Sequence, residues 1–390
     1  MKYRFTFAAS ILGLMASLSA SPEELTLPGG KHLSKKARLG QKLFFDTNLS
    51  TPPGQACSSC HDPATAFSDP NKSQPTSNGA LKTLKGNRNA PTAAYAAYTP
   101  PFHYDPILRL FVGGQFLDGR APTLKEQAKG PFLNPLEMAN PDKQTVVNKV
   151  RESEYAWMFD EVFGPGSLDN TRKAYDRIAA AIAAFERSPV FARFDSKYDY
   201  YLKGKVKLTP QEMRGLVIFE SEEKGNCAAC HPSRPSANGT PPLFTDHTYD
   251  NLGVPKNPNN PFYALPPTLN PDGPAFVDLG LGKRVGKFWE DGKLKVPTLR
   301  NIALTAPYMH NGYFSTLRSV VDFYNTRDVR PTCWNELVPE ADAQRLGCWP
   351  APEVKQNVNG DELGNLRLSD REVDDLVAFL KTLTDGYRPE

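Results

Sequence analysis

The chain has 390 residues, with 46 Lys and Arg against 43 Asp and Glu, for a formal net charge of +3. This length exceeds the ~250–300 residues at which a single core stops growing, so two domains are predicted. The near-balanced charge excludes a nucleic-acid binder, which needs a concentrated basic surface.

In chain order, the N-terminus places Lys2 and Arg4 ahead of an apolar run from Phe5 to about Leu18, followed by Ser19, Ala20 and Ser21. This pattern predicts an export signal over residues 1–20, cut near Ala20, with a retained anchor as the other reading. The run is shorter than the ~20 apolar residues of a transmembrane helix, so a soluble protein outside the cytoplasm is expected. Ser34 can cap a helix over KKARLGQKLFF, whose Ala37, Leu39, Leu43 and Phe44 form one apolar face. Thr171–Arg187 is alanine-rich, with Ile178, Ile182 and Phe185 at helical spacing. Thr209 opens T-P-Q-E and Ser369 opens S-D-R-E, two capping boxes ahead of apolar helices. The 36 prolines and 28 glycines predict long ordered loops, notably over Pro232–Pro242 and Pro255–Pro274. Strand-like alternation is scarce. The organisation is doubled: in each half an amphipathic helix leads into a cysteine motif and a further helix closes the half. The division is expected near residue 200, giving units 21–200 and 201–390.

Cys57-Ser-Ser-Cys60-His61 and Cys227-Ala-Ala-Cys230-His231 carry the chemistry. C-x-x-C-H lets two thiols form thioethers with the vinyl groups of one haem while the adjacent imidazole binds the iron. Zinc knuckles use similar residues but do not repeat His in this position. A thioredoxin-like motif would need a βαβ pattern, which is absent. Two covalent c-type haems are therefore expected. Cys333 and Cys348 share a proline-rich loop, and an oxidising compartment predicts that they pair, against the alternative of two free thiols. If both irons carry strong ligands on both faces, the protein is an electron carrier; an open face on one iron admits peroxide.

The segments LGQKLFFD, CSSCHDPATAFSD, RNAPT, DGRAPTLKEQAKGP, NPLEM, CAACH, VPTLRNIALTAPYMHNG and LSDREVDDLVAFLKTL resemble the bacterial di-haem cytochrome c peroxidase family, including its MauG-like branch. The resemblance spans nearly the whole mature chain. It implies a mainly α fold of two cytochrome c-like domains, with peroxide reacting at the N-terminal haem. It also implies a distal Glu137 that moves a proton between peroxide oxygens, a Gln127 that orients peroxide, and Pro131 in the pocket wall. A calcium ion between the domains, held by Asn89, Thr305 and Pro307, is implied in the same way. Relatives that need reductive activation carry a blocking histidine upstream of RNAPT. Residues 77–87, SNGALKTLKGN, have none, and His103 in YTPPFHYDP reads as a loop residue.

Counting fourteen residues from His310 lands on Tyr324, where ordinary members of the family place a methionine ligand and the MauG-like branch a tyrosine. A phenolate is a hard anionic donor that favours oxidised iron, whereas a thioether favours the reduced state. His231 and Tyr324 are thus the implied ligands of the second iron. One departure is Leu117 in FLDGR, where the family usually has a relay tryptophan; Trp289 and His310 are the candidates to compensate. The first reading is a periplasmic MauG-like peroxidase oxidising a protein or other donor. The second is a peroxide-detoxifying cytochrome c peroxidase fed by a small cytochrome or cupredoxin, and the third is a non-enzymatic di-haem carrier.

Overall fold

The computed structural model describes residues 32–389; the expected export signal lies outside them. The described chain is mainly helical. Its helices are α1 (Lys35–Phe45), α2 (Leu124–Gln127), α3 (Gly130–Leu133), α4 (Lys143–Arg151), α5 (Trp157–Phe163), α6 (Thr171–Glu186), α7 (Lys197–Leu202), α8 (Pro210–Glu220), α9 (Gly280–Val285), α10 (Leu317–Thr326), α11 (Glu340–Leu346) and α12 (Asp370–Lys381). Two short antiparallel pairs complete it: β1 (His103–Asp105) with β2 (Leu110–Val112), and β3 (Tyr249–Asp250) with β4 (Leu294–Lys295). In the described residues no helix is long and apolar enough to cross a membrane.

Local chemistry sets the helix starts. Ser34 Oγ accepts from Ala37 N at 3.2 Å and opens α1. Glu212 and Glu372 each accept from the backbone N–H of their capping residue, Thr209 at 2.7 Å and Ser369 at 2.8 Å, closing the boxes that start α8 and α12. Asn170 caps α6. The proline tracts 232–242 and 255–274 run as loops and 3-10 turns.

Two hydrophobic cores form. One gathers buried residues from Leu39 to Phe191 and the other from Tyr198 to Leu383. Each is built on one helix crossing, α1 on α6 and α8 on α12. At each crossing a glycine lets the backbones meet. A Cβ on Gly40 would lie 1.9 Å from the Ala181 carbonyl oxygen, and one on Gly215 would lie 2.0 Å from that of Asp375. Any larger side chain there would force the pair apart.

The aromatic packing repeats as well. Phe44 meets Phe185 at 5.5 Å and Phe67 at 6.4 Å. In the second core Phe219 meets Phe379 at 5.1 Å and Phe244 at 6.0 Å. These edge-on contacts fix the loop residues Phe67 and Phe244 against their helix pairs. Both take positive φ, 57° and 53°, a conformation that turns their carbonyls out of the local chain and towards the histidines described below.

The junction is polar and buried. Arg300, 1% exposed, donates to both carboxylate oxygens of Asp199 at 2.9 Å and to the Pro242 carbonyl at 2.7 Å. The rings of Tyr95 and Phe194 lie 4.9 and 4.5 Å from its guanidinium carbon. Tyr95 in turn donates its hydroxyl to Asp385 at 2.8 Å, tying the first core to the C-terminal segment.

Candidate haem sites

Both C-x-x-C-H motifs form a 3-10 turn closed by the same bond. His61 N donates to the Cys57 carbonyl and His231 N to the Cys227 carbonyl, each at 2.9 Å. Each imidazole is then oriented by a backbone acceptor. Nδ1 of His61 meets the Phe67 carbonyl at 3.0 Å, and Nδ1 of His231 meets that of Phe244 at 2.7 Å. With Nδ1 as the donor, Nε2 is left as a lone-pair ligand in a fixed direction. Burial lowers both imidazole pKa values, that of His231 to about 4, so the ring stays neutral and able to ligate.

The four motif thiols are not reactive thiolates. Burial is the main reason that Cys60, Cys227 and Cys230 are each pushed up to about 12, and Cys57 rises further. A thioredoxin-like redox pair sits instead in surroundings that lower its pKa. Cys230 Sγ, Asp250 and Glu362 also approach within 4.8 Å of one another. The two carboxylates are bridged by Asn359, which donates to both, so this acidic edge belongs to the motif's surroundings.

In the C-terminal half a cavity of about 320 Å³ is lined by Cys227, Cys230, His231 and Tyr324 together with apolar Val320 and Leu376. That volume lies within the ~300–1,000 Å³ range of cofactor and ligand sites. Tyr324 stands on α10, which the Thr316 and Ser319 capping box starts. Its hydroxyl makes no hydrogen bond to a described residue. Burial raises its pKa, and Cys227 and Cys230 add to the rise. A buried phenol without a protein hydrogen-bond partner, in one cavity with a neutral imidazole and two thiols, is a donor set that could hold a haem iron and its vinyl groups. Trp349 supports α10 from behind, its ring 5.3 Å from Phe323 and its Nε1 donating to Thr326 Oγ1 at 3.0 Å. The Cys333–Cys348 disulfide lies beside Trp349.

In the N-terminal half Gln127 ends α2, and Pro131 lies in α3. The Pro131 carbonyl accepts from Met138 N at 3.1 Å, folding the NPLEM turn back on α3. Glu137, half-buried in that turn, is close enough to Cys57 and Cys60 for its charge to raise both thiols. Burial lifts its own pKa above the usual carboxylate range, against the opposing effects of Arg120 and Asn134. Arg120 is held by stacking 3.5 Å from the centre of the Phe116 ring.

Asn89, Thr305 and Pro307 all border the C-terminal cavity. Asn89 N donates to the His310 carbonyl at 2.7 Å and Nδ2 to the Pro75 carbonyl at 3.1 Å. Asn89 Oδ1 and the carbonyls of Thr305 and Pro307 accept no hydrogen bond from a described residue. Hard oxygen donors of this kind suit calcium.

Leu117 and His310 line the same cavity, whereas Trp289 is half exposed on the surface and does not. His103 lies exposed on the β1–β2 hairpin with a ring nitrogen on the Pro101 carbonyl at 2.8 Å.

Sequence reasoning missed four groups. The Phe67 and Phe244 carbonyls are backbone atoms and carry no side-chain signal. Arg120 stood in view beside Leu117 in FLDGR. Glu186 is a fully enclosed acid beside Cys57, and its four-residue spacing from Ile178 and Ile182 marks it as part of the apolar stripe.

A profile of the di-haem cytochrome c peroxidase family matches residues 34–207. The methylamine utilization protein MauG of Paracoccus denitrificans is 42% identical over 362 residues, covering 90% of this chain and 89% of its own. A cytochrome c551 peroxidase of Nitrosomonas europaea is 34% identical over 357 residues, covering 91% and 81%. The crystal structure of the diheme peroxidase BthA from Burkholderia thailandensis is similar with a TM-score of 0.76 at 33% identity, over 91% of this chain and 87% of that one. The doubled helix-and-histidine construction thus coincides with whole-length similarity to peroxidases, and the chain belongs to the di-haem cytochrome c peroxidase family of oxidoreductases.

Proposed function

We propose that the protein is a periplasmic, MauG-like peroxidase that reduces hydrogen peroxide at its N-terminal haem and draws electrons from a protein or small redox-protein donor. Cys57 and Cys60 would hold the first haem and His61 its iron. Cys227 and Cys230 would hold the second, with His231 and Tyr324 binding its iron. The observation that carries this reading is the shared cavity of His231 and Tyr324, with the phenol free of protein partners. A c-type haem, when bound, supplies the iron that accepts peroxide and retains its oxidising equivalents.

The chain's own groups do the rest. Phe67 and Phe244 hold the imidazoles in one tautomer. Glu137, with its pKa raised by burial, can take a proton from one peroxide oxygen and return it to the other. Gln127 orients the bound peroxide, and Pro131 keeps that wall apolar. Asn89 Oδ1 and the carbonyls of Thr305 and Pro307 would hold a calcium ion. A phenolate at Tyr324 would stabilise oxidised iron there and so would favour substrate oxidation over simple scavenging.

The test is electron paramagnetic resonance of the fully oxidised protein, before and after stoichiometric peroxide. One high-spin and one low-spin signal, with a persistent change on adding peroxide and no prior reduction, are expected. Tyr324→Met should shorten the life of that change. Two low-spin signals and no reaction would overturn the reading.

A further inference from the structure

The β1–β2 hairpin has no part in either haem site, yet it carries a strongly exposed apolar surface among the described residues. Ile107 is 89% exposed and Leu108 56%, and beside them Phe288 is 74% and Trp289 51% exposed. Such rings and aliphatics, gathered rather than scattered, mark interaction surfaces. Lys287 joins the hairpin to the Phe288–Glu290 turn, its Nζ lying 5.1 Å from the Phe111 ring centre and 5.7 Å from those of Tyr104 and Trp289. Arg284 lies 5.3 Å from the ring of Phe102.

The charge on this face is one-sided. Arg109, Lys283, Arg284 and Lys287 form no ion pair with a described residue. The acids in the same stretches are engaged: Asp105 accepts from the amides of Ile107 and Leu108, and Glu290 pairs with Lys293 at 3.0 Å. An aromatic face ringed by unpaired cations is complementary to an acidic protein surface.

The face is also continuous with the second haem site. Tyr104, Phe111, Phe102 and Tyr249 follow one another at ring separations of 5.2, 5.4 and 6.1 Å. Tyr249 donates its hydroxyl to the Gly113 carbonyl at 2.6 Å, and its neighbour Asp250 lines the cavity that holds His231 and Tyr324. Gly119 makes room for this stack, since a Cβ there would lie 2.2 Å from the Tyr249 hydroxyl.

We propose that the hairpin, together with Arg284, Lys287 and Trp289, is the docking surface for an acidic one-electron donor protein that serves the C-terminal haem. The proposal deepens the peroxidase reading and rests on it for the direction of electron flow. The donor loses one electron per encounter, and two such electrons with two protons convert one hydrogen peroxide to two waters.

Binding is tested on the holoprotein by calorimetry, with an acidic plastocyanin as probe and a basic mitochondrial-type cytochrome c as the opposite-charge control. Wild type should bind plastocyanin with an affinity that falls as salt rises, and the basic cytochrome at least about tenfold more weakly. The double variant Arg284→Glu, Lys287→Glu should lose about tenfold or more in plastocyanin affinity. Its melting temperature and haem spectrum should stay as in wild type. Trp289→Ala should weaken binding with the salt dependence retained. Absence of plastocyanin binding, equal binding of the two probes, or unchanged affinity in the charge-reversed variant would overturn the proposal. Peroxide turnover with ascorbate, which needs no docking, tests the peroxidase reading separately and leaves the binding result readable.

Discussion

Arg88 grips Asp278 with two prongs, Nε at 2.6 Å and Nη2 at 2.7 Å, while its Nη1 reaches Asp118 at 2.8 Å. The pair ties the RNAPT segment to the loop before α9, and Asp118 adds the FLDGR turn, so one guanidinium connects three segments around the cavity. Burial alone would raise the Asp278 pKa, but Arg88 more than offsets it and holds the carboxyl well below the usual range. Asp118 keeps its pair with Arg120 at 2.9 Å, but Arg88→Met should leave the enclosed Asp278 carboxylate unpaired and cost about 3–5 kcal/mol in urea unfolding at pH 7. The sign with pH follows from the depressed native pKa. The contribution of Asp278 is present above its unfolded value near ~4 and is lost as pH falls below it. The gap between wild type and Asp278→Asn should accordingly narrow below about pH 4.

The Cys333–Cys348 disulfide closes a short loop, with a sequence separation of 15. Cys333 N donates to the Trp349 carbonyl at 2.9 Å, so the bridge holds the indole that backs Phe323 on α10. Loop closure of this length contributes about 3 kcal/mol by restricting the unfolded chain. Cys333→Ser with Cys348→Ser should lower stability by that order, measured by thermal unfolding. It should also broaden the optical band of the second haem, because Tyr324 sits on the helix that Trp349 supports.

How much of this was open to sequence reasoning depended on the range of the interaction. The caps at Ser34, Thr209 and Ser369 are contacts over three residues, and the two C-x-x-C-H motifs are contiguous, so both could be read directly. The proposed ligand Tyr324 rests on a register counted from His310, because nothing in VVDFYNTR distinguishes an iron-facing phenol from a core tyrosine. The orienting carbonyls of Phe67 and Phe244 were invisible, since each belongs to a residue at positive φ whose ring packs on one far along the chain, Phe191 at 4.0 Å and Phe379 at 6.4 Å. The hairpin escaped notice because three-residue strands flanked by proline give no alternation to detect. The Arg300–Asp199 pair, 101 residues apart, has no local pattern at all.

Glu186 is the least conventional feature of the first core. It is 6% exposed, Oε2 has no hydrogen-bond partner among the described residues, and burial pushes its pKa up to about 8. The sign is opposite to that of Asp278. A raised native pKa means that the folded state keeps a proton that the unfolded chain releases above ~4.3. Stability is thus undiminished at pH 4 and falls as pH rises to about 8. Glu186→Gln should abolish this slope and be more stable than wild type at pH 8.5, on the order of 2–4 kcal/mol, while matching it at pH 4. Urea unfolding at the two pH values checks both limbs, and parallel slopes would show that Glu186 is ionised in the fold.

Glu137 carries the sharpest functional prediction. Its half-buried carboxyl sits in the turn that Met138 N and the Pro131 carbonyl fold back, and burial raises its pKa above the usual carboxylate range, which favours its holding a proton it can pass on. Glu137→Gln keeps size and polarity but removes that ability, so peroxide turnover should fall about 10²- to 10⁴-fold, the usual worth of general acid–base catalysis. The loss should appear in kcat/KM for peroxide, because the proton must move as the O–O bond breaks. A small exogenous carboxylic acid should restore part of the rate in a smaller Glu137→Gly variant, whereas a purely structural role would show no such rescue. Gln127→Leu should behave differently: it weakens orientation without removing the proton carrier, and so should cost less than Glu137→Gln. Equal losses in the two variants, with no rescue, would mean that the turn shapes the pocket and the proton travels by another group.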